Sequence, residues 1–186
     1  MAQARTLDEA QIKRVQRYLR TRRNSTRDST IFTFAFNTGL RAKELAALCV
    51  GDAYDAEGAV RDAFVLQRSQ TKGARTRTVY INRALRSALE QYRPTLYSVE
   101  PTAPLFESRK GGHFSANTMC QLFLTVFADC GLRGATSHTP RRTFITQLAN
   151  KGVGVLADLA GHSSISVTQR YIDVNDAQMA RAVELL

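Results

Sequence analysis

Apolar residues in this chain recur mostly at helical spacing, and one stretch breaks into alternation instead. After Thr6-Leu7-Asp8-Glu9, a hydroxyl cap with Glu at the third helical position, Ile12, Val15 and Leu19 fall on one face. That spacing predicts a helix of about four turns. Its far end, residues 20–27, is basic and polar and reads as helix end plus loop, either solvated or in contact with phosphate. Ile31, Phe32, Ala35 and Phe36 predict a buried helix stopped around Asn37-Thr38-Gly39. Thr38 is placed to cap the next helix, which carries Arg41, Glu44, Leu45 and Leu48. Arg41 and Glu44, three apart, share a face near its start, where Glu44 can orient the guanidinium.

The pattern changes between Cys49 and Ile81. Residues 63–67 and 76–81 read as strands, joined by a turn at Thr71-Lys72-Gly73-Ala74, and residues 48–54 can supply a third short strand. The hairpin tip is basic, with Arg68, Lys72, Arg75 and Arg77. Helical spacing then returns. Asn82 caps a helix with Leu85, Ala88, Leu89 and Tyr92 inside, ended by Pro94. Residues 94–104 hold Pro94, Pro101 and Pro104 and read as a surface loop. Ser115 caps a strongly amphipathic helix bearing Met119, Leu122, Phe123, Val126 and Phe127, closed at Gly131. Ser137 or Thr139 caps the next, with Pro140 in its first turn and Phe144, Ile145 and Leu148 inside, ended by Gly152. Residues 155–160 read as a short helix closed by Gly161, a further helix is expected to bear Tyr171, and Met179, Ala182, Val183, Leu185 and Leu186 read as a short amphipathic tail.

Composition narrows the function. A length of 186 residues suits one domain, and 44% hydrophobic content allows a sizeable core. Lys plus Arg is 26 against 16 acids, a net charge of +10, which favours a polyanionic partner and nucleic acid above an anionic membrane. No apolar run approaches the roughly 18 residues of a membrane span, and no signal peptide is expected. Cys49, Cys120 and Cys130 read as free thiols of a reducing cytoplasm. His113, His138 and His162 are far apart and no metal-ligand spacing occurs, so neither a metal nor another cofactor is expected.

The chemistry gathers in residues 138–171. His138 and Arg141 are three apart, His162 follows Gly161, and Tyr171 comes nine residues later. Arg41 and Lys72 are candidates to join them. Attack on a phosphodiester loads negative charge on two non-bridging oxygens, which permanently protonated Arg forks answer. A tyrosine nucleophile, with an ordinary pKa near 10, must shed its proton as it attacks, and an imidazole can take it. The leaving sugar oxygen needs a general acid, for which a hairpin Lys is suited. Each residue alone has an ordinary structural explanation; the ordered set does not.

That set resembles the tyrosine recombinases, the phage-integrase-type site-specific recombinases. The motifs are Thr38-Gly-Leu-Arg-Ala-Lys-Glu-Leu45, Lys72 in the hairpin, His138-Thr-Pro-Arg141, Gly161-His162 and Gln169-Arg-Tyr171, and the likeness runs from about Leu7 to the end. The resemblance implies a mainly α fold with a small three-stranded antiparallel sheet. It implies that Arg41 and Arg141 bind the scissile phosphate, with Glu44 in support. His138 and His162 would assist proton transfer, Lys72 would be the acid for the leaving 5′ oxygen, and Tyr171 would form a 3′-phosphotyrosyl link. Arg68, Arg75, Arg77 and Arg142 are further candidates for DNA contact.

The family usually carries an N-terminal core-binding domain, and the expectation here is residues 1–174 as catalytic domain and 175–186 as a tail, with no such domain. The chain then resembles either a fragment or the small single-domain recombinases that invert fimbrial promoters. Pro140, Arg142 and Ala160 depart from common family residues without removing a catalytic group. The expected partner is a double-stranded DNA recombination site bound by a homotetramer, the chain being monomeric when free. An accessory DNA-bending or directionality protein and a tail exchanged between protomers or packed in cis are part of the same expectation. The place is cytoplasmic and nucleoid-associated. The competing readings are a non-catalytic DNA-binding module derived from a recombinase and a type IB topoisomerase.

Overall fold

A computed structural model describes residues 5–71 and 76–150, apart from the side chain of Asn150. Its helices are α1 (Glu9–Leu19), α2 (Ser25–Thr38), α3 (Ala42–Ala46), α4 (Val50–Ala53), α5 (Arg83–Tyr92), α6 (Ala116–Asp129) and α7 (Thr139–Asn150). Strands β1 (Ala63–Leu66) and β2 (Arg77–Tyr80) pair antiparallel, with Ala63 opposite Tyr80 and Leu66 opposite Arg77. No helix among the described residues is long and apolar enough to cross a membrane.

Helix α2 is the axis. Ile31, Phe32, Phe34 and Ala35 are all buried on it, and α1, α3, α5 and α7 pack around it. Phe32 lies 4.5 Å from Phe123 and 5.6 Å from Phe127 of α6, centroid to centroid. On the other side Phe34 meets Phe64 of β1 and Phe106 edge-on, each at 6.1 Å. The core is thus an aromatic seam that holds helices on one side and the sheet on the other. Each of these rings contributes about 1.5–3 kcal/mol by leaving water.

Where helix starts were read from one good cap, the structure agrees. Asn82 accepts from Leu85 N–H at 2.9 Å and Ser115 from Thr118 N–H at 3.0 Å. Two caps differ. Asp8, not Thr6, caps α1: its carboxylate accepts from Gln11 N–H at 2.8 Å, and the Gln11 side chain accepts from Asp8 N–H. The helix starts two residues later than a Thr6 cap implies, and it spans 11 residues. Thr38 does not cap α3. Its hydroxyl donates back to Phe34 O at 2.7 Å, as the last residue of α2, and Gly39 in the left-handed region closes that helix.

The sheet differs as well. Among the described residues it has two strands, not three. Residues 50–53, expected to be extended, form the helical turn α4, started by Asp52 accepting from Cys49 N–H at 2.8 Å. The flanks still pair: residues 48–50 run beside 103–105 through Val50 N–H to Ala103 O and Leu105 N–H to Leu48 O, both 2.9 Å, and Tyr54 bridges Val60. The basic segment after α1 is also tied down. Arg22 and Arg27 both bind Asp28, a buried carboxylate in the first turn of α2. Arg27 also donates to Glu107 O at 2.8 Å. The helix 139–150 forms as read, with its end at Gly152 lying outside the described residues.

Candidate active site

The corner between α2 and α3 collects the charges. Gly39 adopts φ +62 and turns the chain so that Arg41, in extended conformation, becomes the residue that caps α3. Arg41 therefore precedes the helix on which it was expected, and its N–H donates to Glu44 Oε2 at 2.8 Å. Its Nη1 donates to Glu44 Oε1 at 3.0 Å. Glu44 is 1% exposed, while the Arg41 side chain is 28% exposed and reaches solvent. Glu44 thus grips Arg41 locally through both backbone and side chain.

A second guanidinium enters from the sheet. Arg77 Nη2 donates to Glu44 Oε2 at 3.2 Å, and the Arg77 side chain is only 10% exposed. Burial pushes the Arg77 pKa down; the Glu44 carboxylate pulls it back up, and the Arg41 cation adds to the downward push. Arg77, expected as a DNA-contacting residue of the hairpin tip, lies against the buried acid. The signal was in the strand alternation. Arg77 shares the inward face of β2 with buried Val79, and a charge on a strand's inner face needs a partner.

Arg141 arrives from α7. It is buried, and its Nη1 donates to Gly39 O at 2.8 Å, two residues before Arg41. One turn further along α7, the Phe144 ring lies so close over Gly39 that a Cβ there would sit 2.6 Å from it. The α7 start is braced from both sides. Thr136 N–H donates to Thr139 Oγ1 at 3.0 Å and Leu7 N–H to Thr143 Oγ1 at 3.0 Å. His138 stands exposed just before the helix, its N–H bound to Thr136 Oγ1 and its carbonyl accepting from Arg142 N–H. Arg142 is half-buried beside Arg141, and Arg68 is exposed in the turn after β1.

The structure thus brings Arg41, Glu44, Arg77 and Arg141 to one corner, with His138 one turn before Arg141. Among the described residues, three guanidinium cations and one carboxylate leave a local charge of +2 (three minus one). Such a corner can hold a phosphate by charge-assisted hydrogen bonds, which strengthen as negative charge grows on the oxygens. Lys72, Arg75, His162 and Tyr171 lie outside the described residues. Gln70, which the sequence did not single out, is buried before the hairpin tip. It donates to Ala47 O at 3.1 Å and Asp52 Oδ2 at 2.8 Å, docking this end of the hairpin on the α3–α4 segment.

A model of the Phage integrase family matches residues 5–178. The tyrosine recombinase XerC of Brucella suis biovar 1 (strain 1330) is 32% identical over 162 residues, covering 83% of this chain and 49% of the relative. XerC of Rhodospirillum centenum (strain ATCC 51521 / SW) is 33% identical over 162 residues, covering 85% and 46%. The chain spans about half the length of the curated relatives it matches. Among solved structures, the XerA recombinase superposes with a TM-score of 0.76 at 22% identity, over 99% of this chain and 66% of that one. The Tn1549 transposon integrase in complex with circular intermediate DNA gives 0.78 at 18% identity, over 100% and 67%. At these identities the superpositions speak for the fold.

Proposed function

The chain belongs to the phage integrase family of tyrosine recombinases, and from that premise we propose that it cleaves and rejoins DNA strands at a specific site through a phosphotyrosyl intermediate. The observation that carries the reading is the corner itself: Arg41 and Arg141, 100 residues apart in sequence, are held within one Gly39 turn. The XerH recombinase bound to palindromic difH in a post-cleavage complex shares this fold, with a TM-score of 0.73. DNA is the matching substrate for a chain of net charge +10.

In this reading Arg41 and Arg141 bind the non-bridging oxygens of the scissile phosphate. The Tyr171 oxygen attacks phosphorus, its proton passing to His138 or His162, while the bond to the 5′ oxygen breaks. Lys72 gives that oxygen its proton. The new ester retains the phosphodiester's bond energy, so the freed 5′ hydroxyl of a partner strand reverses the step without ATP. Arg68, Arg75 and Arg142 serve DNA backbone contact in the same reading. Four protomers on two sites, an accessory bending or directionality protein, exchange of the tail 175–186 and a nucleoid location complete it.

The test is covalent capture on a nicked duplex, where loss of a short fragment traps the intermediate. The wild-type chain yields a denaturant-stable adduct; Tyr171→Phe yields none while still binding. Binding by the wild type with no adduct on any duplex favours the non-catalytic module. Relaxation of any supercoiled plasmid favours a type IB topoisomerase.

A further inference from the structure

Glu44 is a carboxylate with two customers, and the division of its oxygens is the informative feature. Oε1 takes the Arg41 side chain, while Oε2 takes the Arg41 N–H and the Arg77 guanidinium. Without Arg77, the Arg41 fork is free to swing onto both oxygens, the bidentate arrangement that guanidinium and carboxylate prefer. A fork closed on Glu44 has fewer donors for anything else. With Arg77 in place, Arg41 makes one side-chain hydrogen bond among the described residues, and its side chain stays 28% exposed.

Two further facts support a positioning role. Arg77 is buried enough that burial lowers its pKa, so little of it is available to a ligand. It also begins β2, whose Val79 packs into the core, so its backbone is anchored independently of the corner. An arginine in a rigid frame, buried against an acid that another arginine also uses, holds that acid in one orientation.

We propose that Arg77 is a positioning residue for the phosphate-binding fork of Arg41, acting through Glu44. The inference rests on the recombinase reading of the site. In this role Arg77 acts through Glu44, dividing its oxygens so that Arg41 points its remaining donors at the phosphate. Its cation also opposes Arg41 across the shared acid and discourages a collapsed, fully neutralised Arg41–Glu44 pair.

The test uses a nicked duplex selected by covalent capture on the wild-type chain from a randomised pool, in three chemical forms. These are the ordinary phosphodiester, a methylphosphonate that lacks one non-bridging oxygen charge, and a 5′-phosphorothiolate whose sulfur leaves without a general acid. On the phosphodiester, Arg77→Gln slows adduct formation roughly 100-fold, the scale of a misplaced catalytic group. Arg77→Lys, which retains one cationic donor for Oε2, recovers most of that loss. On the methylphosphonate the gap between wild type and Arg77→Gln narrows to about 3-fold or less, because the reaction then asks less of Arg41. On the phosphorothiolate it stays wide. Duplex affinity, read in a Tyr171→Phe background, changes by less than about 2-fold.

A gap that closes on the phosphorothiolate and not on the methylphosphonate overturns the proposal, since Arg77 then serves the leaving group. A large loss of affinity overturns it too, because Arg77 is then a DNA contact. A gap of equal size in all three forms, unrelieved by Lys, marks general loss of structure and likewise overturns it. If the wild type forms no adduct, the recombinase reading itself fails; an adduct formed equally by Arg77→Gln removes only this inference.

Discussion

Glu44 is the residue on which the site's charges balance. It is buried with Arg41 and Arg77 on its two oxygens, and the three are coupled closely enough that the Arg41 cation depresses the Arg77 pKa. Removing the acid leaves two cations facing one another, one of them desolvated. Breaking a buried ion pair from one side costs about 3–5 kcal/mol, far above the ~0.5 kcal/mol of an exposed pair. Glu44→Gln is therefore expected to lower the urea-unfolding free energy by about that amount. The double variant with Arg77→Gln should lose less than the two single losses added, because the shared contact can be removed only once. A Glu44→Gln loss below about 1 kcal/mol would mean that the pair behaves as a surface pair. The contact between Arg41 and Glu44 is legible in the sequence, because their three-residue spacing is local. The second arginine was not. Arg77 is 33 residues from Glu44, and a basic residue near a hairpin tip gives no hint of an acid waiting beneath the sheet.

At the level of elements, the α2–Gly39–α3 turn does the positioning. Gly39 is left-handed, carries the carbonyl that Arg141 grips and has Phe144 against its α-carbon. A side chain there meets two obstacles. The backbone costs about 1–2 kcal/mol for a non-glycine residue, and the Phe144 ring must move. Gly39→Ala is expected to lower unfolding free energy by at least that much and to slow adduct formation more than its residual fold explains. Adding Phe144→Leu to Gly39→Ala should recover part of the stability, since it removes only the clash. Unaltered stability in Gly39→Ala, measured by urea titration, would contradict the role of this turn. Element boundaries show what a sequence can carry. Asn82 and Ser115 were read correctly because each is the one capping side chain before an amphipathic run. Thr6 and Asp8 both satisfy a capping rule, and Asp8 wins by the reciprocal bond with Gln11. No third strand is found among the described residues: residues 50–53 turn helical, and residues 48–50 pair with 103–105 across a separation that periodicity does not encode.

The molecule as a whole is held partly by buried phenols. Tyr54 donates to Leu89 O at 2.8 Å and Tyr92 to Leu105 O at 2.9 Å, tying α4, α5 and the 103–105 segment together. Burial raises both pKa values, that of Tyr92 to about 12. In the unfolded chain a phenol loses its proton near pH 10, whereas the folded chain keeps it. The folded state thus binds more protons than the unfolded one above that pH. The stability is whole below pH 10 and is lost as pH rises toward 12, at about 1.4 kcal/mol per pH unit for each phenol. Between pH 9 and pH 11, Tyr92→Phe should lose about 1 kcal/mol less than the wild type in urea unfolding. Equal losses would show that Tyr92 titrates the same way folded and unfolded.

At this scale too, distant parts of the chain are proposed to converge on one phosphate. Arg41 and Arg141 are joined through Gly39, and the nucleophile proposed to complete the site is Tyr171. The direct measurement is to digest the covalent DNA adduct and locate the phosphorylated residue by mass spectrometry. A single nucleotide-bearing peptide containing Tyr171 is expected, with adduct formation strongly reduced in Arg41→Ala and Arg141→Ala. A nucleotide on any other residue, or an adduct that forms undiminished without both arginines, would contradict it.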